Sequence, residues 1–318
     1  MKRLATAVLF AGVLLLGWRL LEQPELRQQA MVLLRGWLTP QPPARPPAGE
    51  TIRVATFNLR MFGEAKLRNQ EAMEVLVAIL RQFDLIAVQE VRAAQQDVLP
   101  RLIERLNADG QSQYDYALGP RLGRTVSKEQ YAFIFDTATI EIDRYQLYTV
   151  DDPDDLLHRE PLVGWFRARA APPEQAFTFS LVNVHTDPDE VDRELDVLDD
   201  VFFQVRDDPR RGEDDVLMVG DFNARADQLR QLGQIRGLVK VVSGQTPTNV
   251  RHTAQYDNIL LDAAATTEFT GRGGVFDFLR AYNLTLEQAL AVSDHLPVWA
   301  EFSIYEGGRP GPIAAKPK

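Results

Sequence analysis

Residues 216–225 read VLMVGDFNAR. The apolar run Val216 to Val219 predicts a buried strand. Gly220 breaks it and delivers Asp221 and Asn223 to the strand's end. A carboxylate and an amide two residues apart, after a rigid core strand, suit a hard cation or a phosphate oxygen. They equally suit a simple turn. The first reading gains weight because the same arrangement, a buried strand followed by a polar group, recurs on both sides of this stretch.

Upstream, TIRVATFNLR (51–60) predicts a strand ending on Asn58 and Arg60, and DLIAVQEVR (84–92) one ending on Glu90 and Arg92. A glutamate closing an apolar strand is costly to bury unless it is paired or metal-bound; a rim ion pair with Arg92 is the plainer alternative. FTFSLVNVH (177–185) ends on His185. Asp187 is then expected to cap a helix with Pro188 at its first position and Val191, Leu195, Leu198, Phe202 and Val205 facing inward. Taken alone, such a histidine is more often structural than catalytic. Downstream, QYDNILLD (255–262) sets Asp257 and Asn258 before a strand, and AVSDHLPVWAEF (291–302) sets Ser293, Asp294 and His295 before the last one. Helical spacing predicts helices over about 67–82 and 95–107. Arg124, Lys128 and Glu129 precede a strand at Tyr131–Phe135. DDPDD (151–155) reads as a solvated loop or, more sharply, a calcium site.

The composition bounds these readings. With 318 residues, 45% of them hydrophobic and 25% charged, the chain has ample material for a large core. Its formal charge of −10 supplies no global attraction for nucleic acid, though a metal and a few arginines would make one site locally positive. The absence of cysteine rules out disulfides, thiolate zinc sites and cysteine nucleophiles. Lys2 and Arg3 precede the apolar run Leu4–Trp18, so residues 1–21 read as an export signal. No small-x-small cleavage pattern follows, which favours an uncleaved signal-anchor over a cleaved peptide. Residues 22–38 fit an amphipathic helix, for a membrane surface or for the domain itself. The proline-rich stretch 39–50, TPQPPARPPAGE, is expected to be a stiff spacer. The catalytic domain is assigned to 51–304 and a disordered tail to 305–318.

Strands alternating with helices and strand pairs predict a layered α/β sandwich with the polar groups along one rim. Carboxylates and amides without cysteine favour Mg²⁺ over zinc. Two of the four histidines belong to this set. Near a hard metal they suit phosphodiester hydrolysis, one as base and one as acid.

The ordered motifs FNLR, VQEVR, VNVH, GDFNA, YDNI and SDHLP resemble the endonuclease/exonuclease/phosphatase superfamily. Within it, FNLRMFGEAKLRN, LGRTVSKEQYAFIF, HREP, GDFNA and FDFLRAYNLTLEQALAVSDHLPV are similar to the deoxyribonuclease I family, from about Ile52 to Phe302. The resemblance implies a four-layered α/β sandwich with two packed β-sheets. It implies divalent-metal-dependent endonucleolytic cleavage of DNA to 5′-phosphate and 3′-hydroxyl ends, with Mg²⁺ or Mn²⁺ as the metal and Ca²⁺ as an additional ion. By position, Asn58, Glu90, Asp221 and Asp294 match metal and phosphate ligands. His295, oriented by Asp257, matches the base, and His185, backed by Glu129, the acid. Asn223 matches the group holding the scissile phosphate; Arg60, Arg92 and Arg159 match DNA- or phosphate-contacting arginines. Some positions depart from the pattern. Ser127 stands where the family has a minor-groove tyrosine, and Thr246 where it has a calcium-binding aspartate. The family's disulfide cannot form, and its calcium loop survives only as DDPDD. The expected partners are DNA and, through an uncleaved leader, a membrane; the chain is expected to be a monomer with no protein partner. The alternatives are a phospholipid phosphodiesterase of the same superfamily, such as a sphingomyelinase-like enzyme, and a non-catalytic tethered binding domain.

Overall fold

The computed structural model describes residues 49–93, 96–124, 128–170 and 172–307. The leader, the 22–38 segment, most of the spacer, Ser127 and the tail from residue 308 lie outside the described residues. The strands are β1 (Thr51–Phe62), β2 (Leu85–Val91), β3 (Tyr114–Leu118), β4 (Gln130–Asp136), β5 (Ile140–Ile142), β6 (Tyr148–Thr149), β7 (Leu162–Ala168), β8 (Thr178–His185), β9 (Val216–Asp221), β10 (Leu238–Lys240), β11 (Asp257–Asp262), β12 (Phe269–Val275) and β13 (Val298–Ser303). The helices are α1 (Glu64–Arg68), α2 (Gln70–Leu80), α3 (Val98–Leu106), α4 (Val191–Leu195), α5 (Leu198–Arg206), α6 (Phe278–Ala281) and α7 (Leu286–Val292). All the strands belong to the larger of the chain's two compact units, residues 44–280 and 284–318.

Two sheets pack face to face. One has six strands in the order β12-β13-β1-β2-β4-β3; the other has seven, β10-β11-β9-β8-β7-β5 with β6 also paired to β7. Their inner faces meet in a core that includes Val54, Phe133, Phe166, Phe179, Leu217 and Phe302. Phe133 and Phe166 meet edge to face with centroids 5.2 Å apart. Each such fully buried side chain contributes about 1.5–3 kcal/mol of transfer free energy. Outside the seven-stranded sheet, Leu195 of α4 and Leu198, Val201 and Phe202 of α5 pack on Val182, Met218 and Leu260. On the outer side of the six-stranded sheet, Phe57 meets Phe278 of α6 at 6.1 Å. These outer helices complete the expected layered sandwich with two central sheets.

Among the described residues only two strand pairs are parallel, β1/β2 and β8/β9. Each is joined by a helical crossover, which parallel neighbours require. Both members of a parallel pair end on the same side, so Asn58 and Glu90 arrive together, as do His185 and Asp221. In the second pair His185 is the direct register partner of Asp221.

Several boundaries differ from the sequence expectation. The helix expected over 67–82 is two helices, because Asn69 closes α1 and its side chain accepts from Ala72 N (3.1 Å) to start α2. The helix expected over 95–107 spans Val98–Leu106. Asp187 does not cap a helix: its carboxylate accepts from Asp189 N in a turn, and α4 begins only at Val191.

Candidate active site

Glu90 and Asn58 reach the rim because their strands are deformed there. The β1/β2 register shifts between Asn58 and Phe62, and the β2/β4 register between Val88 and Val91. Arg60, Met61 and Glu90 have φ of 46°, 54° and 61°. Bulges and left-handed residues of this kind re-aim side chains, and they are held only where surroundings over-determine them. Here Asn58 Oδ1 accepts from Arg60 N (2.8 Å), and Glu90 Oε2 from Met61 N (2.9 Å). Gly220 turns β9 for a steric reason. Its φ is +149°, and a Cβ there would lie 1.9 Å from Val184 O.

Asp221 is the hub. The Asn58 amide donates to Asp221 Oδ2 (3.0 Å) and to Glu90 Oε1 (3.2 Å), tying two acids of different sheets. Asp221 Oδ1 accepts from Asn223 N (3.0 Å). The Nε2 atoms of His185 and of His295 each lie 3.6 Å from the same Asp221 Oδ2. Behind each ring stands a carboxylate. His185 Nδ1 is 2.5 Å from Glu129 Oε1, and His295 Nδ1 is 2.9 Å from Asp257 Oδ2. An ionised carboxylate only accepts, so Nδ1 of each ring carries a proton and Nε2 is the atom turned toward Asp221. Both pairs cross between sheets: His185 is on β8 and Glu129 precedes β4, while His295 precedes β13 and Asp257 opens β11.

The electrostatics follow from burial and pairing. Burial opposes charge on Glu129, but the hydrogen bond to His185 and the charges of His185, Arg159 and Arg92 hold its carboxyl down at about 2. Burial also opposes the His295 imidazolium. Asp257 and Asp221 more than offset it and push the ring up to about 10. Asp221 is lowered despite complete burial, because both histidines face it; Asp257 is raised, burial outweighing the help of His295.

The remaining expected residues are placed as follows. Asp294 sits 3.4 Å from Arg60 Nε, and its Oδ1 is buried with no hydrogen-bond partner. Arg92 bridges Glu90 (3.1 Å) and Glu129 (3.2 Å). Asn223 directs its amide to Thr186 O (2.9 Å). Arg159, expected at the phosphate, is 7% exposed and donates to the carbonyls of His185 and Thr186, both at 3.0 Å. In the DDPDD loop, Asp152 accepts from Leu157 N (2.7 Å) and Asp155 pairs with Arg124 (3.0 Å). Glu90, Asp221 and Asp294 offer the oxygen donors that a hard divalent cation prefers, one Asp294 oxygen being orphaned; the side chains here whose ligand atoms all lie within 4.8 Å of one another are Asp221, Asp257 and His295.

Sequence reasoning missed the supports. Thr248 Oγ donates to Asp257 Oδ2 (2.7 Å) and accepts from Tyr256 N and Asp257 N. Ser293 Oγ donates to Asn58 O (2.7 Å) and accepts from His295 N, joining the end of α7 to the end of β1. Beneath the site Gln89 donates across the sheet interface to Asn183 Oδ1 (2.6 Å) and, within its own sheet, to Thr56 Oγ (2.9 Å). Lys66 gives its ammonium to the carbonyls of Leu59, Arg60 and Val292. Burial, reinforced by Arg60, lowers its pKa to about 8. Gln89 and Asn183 were visible as single polar residues inside apolar strands; nothing in the sequence marked Lys66.

A model described as the Endonuclease/Exonuclease/phosphatase family matches residues 55–295. The chain is 35% identical over 263 residues to deoxyribonuclease gamma of Rattus norvegicus, covering 78% of this chain and 83% of that protein. It is 31% identical over 268 residues to deoxyribonuclease-1 of Bos taurus, covering 79% and 92%. An endonuclease/exonuclease/phosphatase family protein of solved structure from Bacteroides thetaiotaomicron superposes with a TM-score of 0.51 at 16% identity, covering 84% of this chain and 100% of that one. At that identity the likeness is one of fold alone.

Proposed function

Because the chain belongs to the endonuclease/exonuclease/phosphatase family, in its deoxyribonuclease I branch, we propose that it is a divalent-metal-dependent endonuclease that hydrolyses DNA phosphodiesters. The observation that carries this reading is the convergence of two carboxylate-backed imidazoles on one oxygen, Asp221 Oδ2, at 3.6 Å each. Hydrolysis needs a proton removed from water as its oxygen bonds to phosphorus, and a proton given to the 3′-oxygen as that bond breaks. His295 Nε2 takes the first and His185 Nε2 gives the second, leaving 5′-phosphate and 3′-hydroxyl ends. Asp257 and Glu129 fix the two tautomers, and Arg159 and Thr248 hold His185 and Asp257 in place through the bonds described above.

Glu90, Asp221 and Asp294 would hold the metal, Mg²⁺ or Mn²⁺, with Asn58 beside them. When bound it supplies charge neutralisation and polarisation at the phosphate. With Asp221 and Asp294 engaged in this way, less negative charge would hold the His295 imidazolium, and the ring would lie closer to the neutral form that a base requires. Arg60 and Arg92, at the rim, are the phosphate-contacting side chains. The test is to incubate the purified full-length chain with supercoiled plasmid and Mg²⁺. Nicking that stops in EDTA and is lost in His185→Ala supports the reading; undiminished nicking in EDTA contradicts it.

The reading extends to location. Lys2, Arg3 and the Leu4–Trp18 run support export, with the domain held outside the cytoplasm by an uncleaved anchor. Recovery of the chain wholly in the cytosolic fraction contradicts export, and a missing leader on exported protein selects cleavage.

A further inference from the structure

At the other end of β9 from Asp221, about 20 Å away at ~3.3 Å per residue, lies a second carboxylate assembly that the proposed chemistry does not use. Glu213, Asp214 and Asp215 precede β9, Glu268 precedes β12 and Glu306 follows β13. Asp215, Glu268 and Glu306 each offer an oxygen within 4.8 Å of the other two, and so do Glu213, Asp214 and Asp215. Glu213, Asp215 and Glu268 are each 3% exposed. Some of their oxygens are used: Glu213 Oε1 accepts from Asp215 N (3.0 Å), and Glu268 Oε1 from Thr267 Oγ (3.2 Å) and Gly307 N. Glu306 Oε2 accepts from Thr178 N (3.2 Å). Glu213 Oε2, Asp215 Oδ1 and Glu268 Oε2 are buried without a well-formed hydrogen bond; the side chains of Thr178 and Trp165 lie beside Glu213 and the Thr266 hydroxyl beside Asp215, while among the described residues nothing of the kind bonds Glu268 Oε2.

Burying an unpaired carboxylate is expensive, and burying several together more so. No lysine, arginine or histidine among the described residues forms an ion pair with Glu213, Asp215 or Glu268. Arg211, stacked 5.3 Å over Trp165, spends its terminal nitrogens on Ser180 Oγ (2.7 Å) and Gln146 O (3.1 Å). A surface cleft of about 500 Å³, lined by Arg206, Glu213, Asp214, Asp215, Thr267 and Glu306 among others, opens onto the group.

We propose that Asp215, Glu213, Glu268 and Glu306 form a structural Ca²⁺ site that clasps the two sheets at the pole opposite the active site. The donors are all oxygens and come from carboxylates of both sheets. The two triads share Asp215 and make a largely protein-made set of oxygens of the kind that suits Ca²⁺, whereas Mg²⁺ gives up its waters reluctantly. The alternative is that the cluster stays protonated and holds no ion. Burial and mutual repulsion raise Glu213 to about 7 and Asp215 to about 9, a cost that either a proton or a cation removes.

The indole of Trp165 lies beside Glu213 and provides a local reporter. The full-length chain, stripped of metal and held at pH 8, is titrated with Ca²⁺ in a thermal melt and with Tb³⁺ while tryptophan is excited. A saturable rise in Tm and sensitised Tb³⁺ emission that Ca²⁺ displaces are expected. Asp215→Asn and Glu268→Gln should each lose the Ca²⁺-dependent rise, and Asp215→Asn without metal should be at least as stable as the parent, since the cost of taking up a proton or burying a charge there is gone. Trp165→Phe should lose the emission and keep the rise. Asp294→Asn, altered at the active site, should keep both. No rise and no emission in the parent, or a rise that persists in both Asp215→Asn and Glu268→Gln, overturns the site.

Discussion

At the scale of single residues, the proposed chemistry rests on two imidazoles given opposite jobs beside one carboxylate. His185→Ala and His295→Ala should each lower the rate of plasmid nicking by roughly 10²–10⁴-fold, the span of general acid–base catalysis. The double variant should lose far less than the product, because the residues act as a unit; a fully multiplicative loss would mean they work independently. His295 offers a second measurement. In metal-free protein its ring should stay charged until the pH nears 10, because Asp257 and Asp221 outweigh burial. Adding Mg²⁺ should move that titration down, and ring-proton NMR reads both. An unshifted titration would remove the link between Asp221, the cation and the base.

At the scale of elements, the site is set by how strands end. Gly220→Ala puts a methyl group against Val184 O on a left-handed backbone. It should cost roughly 2 kcal/mol or more of stability, measured as a lower denaturant midpoint, with activity lost in the part that still folds. Lys66→Met removes three donors that join the end of β1 to the end of α7, and should lower both Tm and kcat; unchanged kinetics would show the staple to be dispensable. These elements also show what was legible in the sequence. Strand ends announced themselves, since Asn58, Glu90, His185 and Asp221 each close an apolar run, and the crossovers made two pairs parallel. Helix starts were misread where turn chemistry won, as at Asn69 and Asp187. The inward bonding of Arg159 was out of reach for a different reason. A sequence shows that an arginine is near a motif, but not that its donors turn inward to the carbonyls of His185 and Thr186.

At the scale of the whole molecule, the total charge matters more than any one pair. On the proposed function, the net −10 background would leave DNA binding to a few rim arginines, so affinity should fall steeply between 50 and 200 mM salt, by about 0.9 log–log slope units per phosphate contacted. A filter-binding series with Arg60→Ala and Arg92→Ala should show smaller slopes. The opposite pole predicts a pH effect without metal. A carboxyl whose pKa is higher in the fold than in the open chain binds its proton more tightly when folded. Its stabilisation is complete below the ordinary carboxylate range and fades as the pH climbs to about 7 for Glu213 and about 9 for Asp215. Urea midpoints in EDTA should therefore fall from pH 5.5 to pH 9, and Asp215→Asn should flatten the fall. Finally, each histidine takes its carboxylate from the opposite sheet, His185 from beside β4 and His295 from β11. Neither half of the sandwich therefore holds a working half of the chemistry. On refolding, turnover should reappear only after both sheets have formed and docked, lagging the far-ultraviolet signal, so that an assay of nicking is also a clock for the last step of folding.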